Sequence, residues 1–186
     1  RRGPLSVVEA GDVTAPALVL LHGIGSSGDA FGAQFPAFAD RWHLLAPDAP
    51  GYGESDDPSA APGIDGFADA VARLLDDTGI DRAVVLGVSW GGVIATRFAL
   101  RHPNRLRALV LSDTSRGSGF DPERTAMMAE RAAQYAADPV GFVRDRTPLL
   151  VADTTAASVV ADIAAIMDRA CRMPGYGYAA ASLGET

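Results

Sequence analysis

The stretch "VVLGVSWGGVIATRFALRHP", residues 84–103, decides how the chain is read. It opens on a short apolar run, turns through Gly87-Val88-Ser89-Trp90-Gly91-Gly92, and continues as a helical pattern that Pro103 closes. A serine with glycine two residues away on each side, G-x-S-x-G, between a buried strand and a helix matches a nucleophile elbow. The chemistry needs that spacing. A strand that reverses sharply into a helix forces its serine into a strained backbone conformation, and the residues two before and two after must be small for the segments to approach. The turn lifts the Ser89 hydroxyl clear of the sheet and points the Trp90 N–H at charge forming on an attacked carbonyl oxygen.

Residues 17–22, 43–47, 83–88 and 108–112 are nearly continuous apolar runs bounded by turn residues, which predicts central strands of a parallel sheet buried on both faces. Leu5 to Glu9 predicts an early edge strand. Between the runs, Phe67, Ala68, Val71, Leu74 and Leu75 recur at helical spacing from Ile64 until Gly79 stops the segment, and residues 91–102 predict a second helix. Strands alternating with helices in this way mean an α/β sheet. After Thr114 the texture changes. Residues 121–137 and 154–172 are Ala-rich and amphipathic, with Val159, Val160, Ile163, Ile166 and Met167 on one face of the second, and no further strand is evident. They read either as core-packing helices or as a lid; the softest boundary is Arg116 to Gly119, and the closing "GYGYAAASLGET" reads as ending without a structural element.

A second motif competes for attention. "HGIGSSG", residues 22–28, satisfies the dinucleotide pattern G-x-G-x-x-G, and Asp48 lies 20 residues past Gly28, where a ribose-binding acid would stand. A pyrophosphate, however, must sit on the N-terminus of a helix running directly out of the glycines. Gly32 and then Pro36 deny that helix, and Asp48 falls in the turn-rich "PDAPGYGES", so no organic cofactor and no metal are expected.

With 186 residues, 48% hydrophobic and 21% charged, the chain reads as one soluble globular unit. A net charge of −7 argues against nucleic acid or an anionic membrane as partner and favours a small neutral or weakly polar substrate. No apolar run is long enough to span a bilayer, and the Arg1-Arg2 start lacks a signal peptide's apolar stretch, so a cytoplasmic location is expected. Cys171, the single cysteine, reads as a packed thiol. All 16 basic residues are arginine, which reads as coding bias, and with no initiator Met the chain reads as a fragment or trimmed product.

At the elbow the chain resembles the α/β-hydrolase superfamily, in particular its small esterase-like and lactonase-like members, including 3-oxoadipate enol-lactonases. "LVLLHGIGSS" resembles the family's strand and His-Gly loop, "HLLAPDAPGYGESD" its next strand and turn, and "RHPNRLRALVLSDT" the segment after the nucleophile. The resemblance implies a mostly parallel sheet lacking its last core strands, with residues 1–115 as the N-terminal part of the core and 116–186 as a helical cap. It implies Ser89 as nucleophile, the N–H groups of Ile24 and Trp90 as oxyanion hole, and a small carboxylic ester or lactone as substrate. Serine at the elbow weighs against haloalkane dehalogenases and epoxide hydrolases, which resemble this fold but carry aspartate there. C–C bond hydrolysis, cofactor-free perhydrolysis and a ligand-binding protein without turnover stay open, because fold does not fix function.

A serine hydroxyl needs a base, and the base an orienting acid. Of the three histidines, His22 belongs to the oxyanion loop, His43 opens a strand, and His102 ends the nucleophile helix, so none fits. Asp113, just past its strand, could serve as the acid but reads better as a solvated turn aspartate. In the family it resembles the order is Ser, then Asp or Glu, then His on loops beyond the cap, and "MPGYGYAAASLGET" resembles the end of that cap. The resemblance therefore implies triad partners beyond Thr186, and the 186-residue chain by itself is expected to be poorly stable and nearly inactive.

Overall fold

The computed structural model describes residues 1–186 and gathers the apolar runs into one five-stranded sheet. Its strands are β1 (Val7–Ala10), β2 (Ala17–Leu21), β3 (His43–Pro47), β4 (Ala83–Val88) and β5 (Leu106–Ser112), in the order β1-β3-β2-β4-β5. β1 runs antiparallel to β3, while β2, β3, β4 and β5 are mutually parallel. Parallel neighbours need crossovers, and these come from α1 (Gln34–Phe38), α2 (Gly63–Asp77) and α3 (Trp90–Arg101). The parallel strands therefore deliver the residues that follow Leu21, Pro47, Val88 and Ser112 to one rim, where ligands bind in open α/β sheets.

β2 and β3 are buried at every position, as their continuous apolar runs require. β5 is different. Its apolar run alone predicts cover on both faces, while a sheet without its last core strands predicts an open edge with exposed apolar faces after it. The second is found, for all seven residues are half-buried or exposed, Val110 and Leu111 at 42% and 44%. It is the last strand of the sheet, so nothing pairs with its outer edge.

The main apolar core joins β2 and β4 to α2, α3 and the chain's last helix, with Phe67, Leu74, Leu75, Val85, Trp90 and Phe98 nearly inaccessible. After β5 come α4 (Pro122–Ala137), α5 (Pro139–Arg146), α6 (Ala157–Ala170) and α7 (Gly175–Leu183). Asp121 caps α4, accepting from the Glu123 and Arg124 N–H groups, and Asp138 caps α5, accepting from the Gly141 N–H, each with a Pro at the helix start. The tail thus does end in an element, contrary to expectation. α7 carries two glycines, but its Ala179, Ala180 and Leu183 fill the main core, and Glu185 just beyond it accepts the Ile64 N–H at 2.8 Å, capping α2 from 121 residues away. Tertiary burial overrides weak local propensity here. On α6, Met167 is buried and Val159 lies 45% exposed, so the predicted apolar face is only partly covered. No helix is long and apolar enough to cross a membrane.

Unequal burial gives an expected contrast. Phe67→Ala should destabilise the chain by about 3–5 kcal/mol in urea unfolding, through lost burial and the cavity left behind. Val110→Lys on β5 should cost less than about 1 kcal/mol, because its side chain already meets water. Equal losses would show that Val110 is covered rather than exposed.

Candidate active site

Ser89 takes φ 53° and ψ −118°, a conformation that L side chains rarely adopt. The surrounding backbone holds it there. The Ser89 N–H donates to the Ser112 carbonyl at 3.0 Å, its own carbonyl accepts from the Gly92 N–H at 3.0 Å, and the Thr114 hydroxyl donates to that same carbonyl at 2.7 Å. The glycines are required by close approach. A Cβ on Gly87 would stand 2.2 Å from the Gly91 carbonyl oxygen, and one on Gly91 would stand 2.2 Å from that of Leu21. Strand, turn and helix are pressed together with no room for a methyl group.

The His22-Gly23 loop passes directly over the serine: a Cβ on Gly23 would lie 3.3 Å from Ser89 Cβ and 3.9 Å from its Oγ. Residues 23–26 form a tight turn, closed by Ser26 N–H donating to Gly23 O at 3.2 Å, with Gly25 at φ 78°. The Ile24 N–H makes no hydrogen bond within the chain. Trp90, as first residue of α3, has no intrahelical acceptor for its N–H either. Two unspent donors therefore flank the serine, as an oxyanion site needs.

The glycine loop is not built for a pyrophosphate. After Gly28 comes only a four-residue 3₁₀ turn, then the five-residue α1 with Pro36 in its first turn. A Cβ on Gly28 would meet the Ala46 carbonyl at 2.3 Å, so this glycine serves close contact with β3. Asp48 is buried and accepts from Gly28 N–H at 2.9 Å and Glu54 N–H at 3.1 Å, fastening the loops after β2 and β3 together. No group of three or more His, Cys, Asp or Glu is arranged to hold a metal ion.

All three histidines are committed elsewhere. His22 Nε2 accepts the Ala49 N–H at 3.0 Å, which leaves the proton on Nδ1 to donate to Gly23 O at 2.8 Å; both ring nitrogens are spent. His43 pairs with Glu9 at 2.7 Å at the start of β3, level through β2 with Ala83, the length of six-residue β4 away from Ser89, roughly 20 Å. His102 pairs with Asp69 at 2.7 Å beyond the far end of twelve-residue α3, roughly 18 Å off. Asp113, with φ 47°, is exposed and makes no hydrogen bond through its side chain.

The later helices close over this rim. Met167 of α6 sits on Gly25, its Cε 2.8 Å from where a Cβ would be, and Tyr135, Phe142 and Tyr176 form an aromatic cluster with Ile24 packed against it. Cys171 is buried in that cluster, and burial pushes its thiol up to about 12, which makes it an inert packing group. Arg172 reaches back to the carbonyls of Gly53 and Ser55 and to Asp57, strapping the end of α6 to the loop after β3. Trp90 packs its fully buried indole edge-on against Phe67 and tilted against Tyr52 and His22, and its Nε1 donates to Ser182 on α7 at 3.0 Å. The structure brings Ser89, Ile24, Trp90 and the two elbow glycines, all singled out from the sequence or its resemblance, to one rim. Thr114, Asp48, Met167 and Ser182, which support that rim, were not singled out as supports, and only Asp48, in its Pro-Gly turn, had a local signal.

The sequence profile of the alpha/beta hydrolase fold matches residues 16–169. Epoxide hydrolase A of Mycobacterium tuberculosis is 43% identical over 109 residues, covering 56% of this chain and 34% of that protein. An uncharacterized hydrolase of Saccharomyces cerevisiae is 30% identical over 144 residues, 76% of this chain and 49% of its own length. Among solved structures, a thermophilic esterase from Thermogutta terrifontis superposes with a TM-score of 0.83 at 28% identity, over 97% of this chain and 66% of that one. The chain thus spans between a third and a half of the length of these two curated relatives.

Burial holds the His22 imidazole below its ordinary 6.5. The native state therefore binds its proton later than the unfolded chain as pH falls, and the His22 contribution, present in full above pH 6.5, is lost below it. Stability should fall by up to about 1.4 kcal/mol per pH unit from this group. Urea unfolding at successive pH values should show that slope in the parent and a shallower one in His22→Gln.

Proposed function

The chain belongs to the alpha/beta-hydrolase family, and from that premise we propose that it carries the nucleophile and oxyanion hole of a serine hydrolase acting on small carboxylic esters or lactones. The observation that carries this reading is Ser89 held at φ 53° between Gly87 and Gly91 with the Gly23 backbone against it. Its Oγ attacks the substrate carbonyl as a base takes the hydroxyl proton, and the N–H groups of Ile24 and Trp90 hold the oxyanion. Collapse of that intermediate expels the alcohol, which takes up the proton from the base, and leaves an acyl group on Ser89. Water activated by the same base then releases the acid. The His–acid pair comes from outside residues 1–186 in this proposal, because His22, His43 and His102 are all engaged elsewhere.

Residues 1–115 act as core and 116–186 as cap, the cap anchored in the main core by α7, with Met167 and the Tyr135–Tyr176 cluster setting what fits above Ile24. The match to an epoxide hydrolase does not transfer that activity, since the elbow residue is Ser89. The engaged histidines favour a second reading, a ligand-binding protein of the same fold without turnover.

The protein at its full natural length should hydrolyse p-nitrophenyl butyrate and be labelled at Ser89 by a fluorophosphonate, with Ser89→Ala lowering hydrolysis by about 10³-fold or more. The 186-residue chain assayed alone should stay near the uncatalysed rate. An unlabelled serine together with measurable ligand binding would support the second reading; full hydrolysis by Ser89→Ala would overturn the first.

A further inference from the structure

We propose that Ser182 is a positioning residue for the oxyanion hole, acting through the Trp90 indole; this rests on the reading of Trp90 as an oxyanion donor. The geometry is closed at both ends. Ser182 is completely buried, and its hydroxyl donates to the Ala179 carbonyl at 2.8 Å, which fixes the hydrogen and turns a lone pair toward Trp90 Nε1 at 3.0 Å. Trp90 is 1% exposed and makes no other side-chain hydrogen bond.

Its aromatic neighbours fix where the ring lies but not its direction. Phe67 meets it edge-on at 4.8 Å and Tyr52 lies at 5.5 Å, contacts that a tilted ring could keep. The indole N–H is the ring's one directional group, and a buried N–H without an acceptor is costly. The bond to Ser182 therefore anchors the Trp90 side chain, and through it the Cα at the first residue of α3, while the hydrogen bonds to the Ser89 carbonyl set the plane of the peptide that carries the Trp90 N–H. An oxyanion donor acts only if its direction is set before charge develops. Ser182 also lies on α7, which packs against α4 of the cap region and α2 of the core, so the residue after the nucleophile is tied to a helix 92 residues later.

A structural hydrogen bond would affect folding alone, whereas a positioning bond should affect the reaction step. Phosphonylation of Ser89 by a fluorophosphonate separates the two: the Oγ–P bond forms as P–F breaks, fluoride leaves, the serine proton passes to the base, and charge grows on a phosphoryl oxygen. In the protein at its full natural length, Ser182→Ala should lower the maximal labelling rate about tenfold and leave the half-saturating probe concentration within about twofold, the loss expected for one misdirected donor. Ser182→Thr, which keeps the hydroxyl, should restore most of the rate. The Trp90 indole N–H resonance should move in Ser182→Ala while that of Trp42 stays in place. If Ser182→Ala does not fold, Trp90→Phe deletes the same bond from its other end and should show the same rate loss.

A labelling rate within twofold of the parent in a folded variant lacking the bond would overturn the proposal, as would an unmoved Trp90 resonance. Labelling that persists undiminished in Ser89→Ala would instead remove the serine-hydrolase reading and this inference with it.

Discussion

The whole arrangement depends on one steric fact: the backbone of α3 crosses that of β2 at contact distance. Gly91 lies against the carbonyls of Leu21 and His22, and Gly87 against Gly91 itself. Any side chain at either position would push helix from sheet, and Ser89 could then relax out of its positive φ. The strain at Ser89 is therefore held by packing on both sides, by the hydrogen bond to Ser112 and by the Thr114 hydroxyl, rather than by anything Ser89 does itself. The same crossing brings the His22-Gly23 loop over the serine, so one contact both raises the hydroxyl and sets the donors beside it.

Around that crossing, polar groups work mainly as fasteners. His22 and Asp48 resemble catalytic groups by type and position, yet each spends its hydrogen bonds on neighbouring backbone: His22 on Gly23 and Ala49, Asp48 on Gly28 and Glu54. Burial keeps His22 neutral, which suits a residue that must accept at one nitrogen and donate at the other. Rigid loops are what an oxyanion site requires, because donors that must reorganise during the reaction lose their advantage.

What could be read from the sequence follows from how local each cause is. The strands of the sheet announce themselves as continuous apolar runs, and the elbow is legible because steric demand at Gly87 and Gly91 acts within five residues. The misleading G-x-G-x-x-G is resolved by Pro36, again a local signal. For β5 the run Leu109-Val110-Leu111 by itself looks the same whether or not anything covers it; only the expectation that later core strands are missing points to its exposed faces. α7 was missed for the opposite reason: Gly175 and Gly177 weaken it locally, and only burial of Ala179, Ala180 and Leu183 against distant elements makes it a helix. Thr114 and Ser182 left no trace, since each acts through one hydrogen bond to a residue far away in sequence.

The bond from Glu185 to the Ile64 N–H gives the molecule an order in time as well as in space. α2 lies between β3 and β4 and is synthesised early, but the carboxylate that caps its first turn emerges 121 residues later. Until then the helix start is open to water, while apolar contact and the ion pairs of Asp65 and Asp69 with Arg97 and Arg101 hold α2 in place. Closing so long a loop adds little to the free-energy cost of folding, because that cost grows only logarithmically with length, but it delays completion on the ribosome. A nascent chain paused before Glu185 would hold α2 with a frayed first turn.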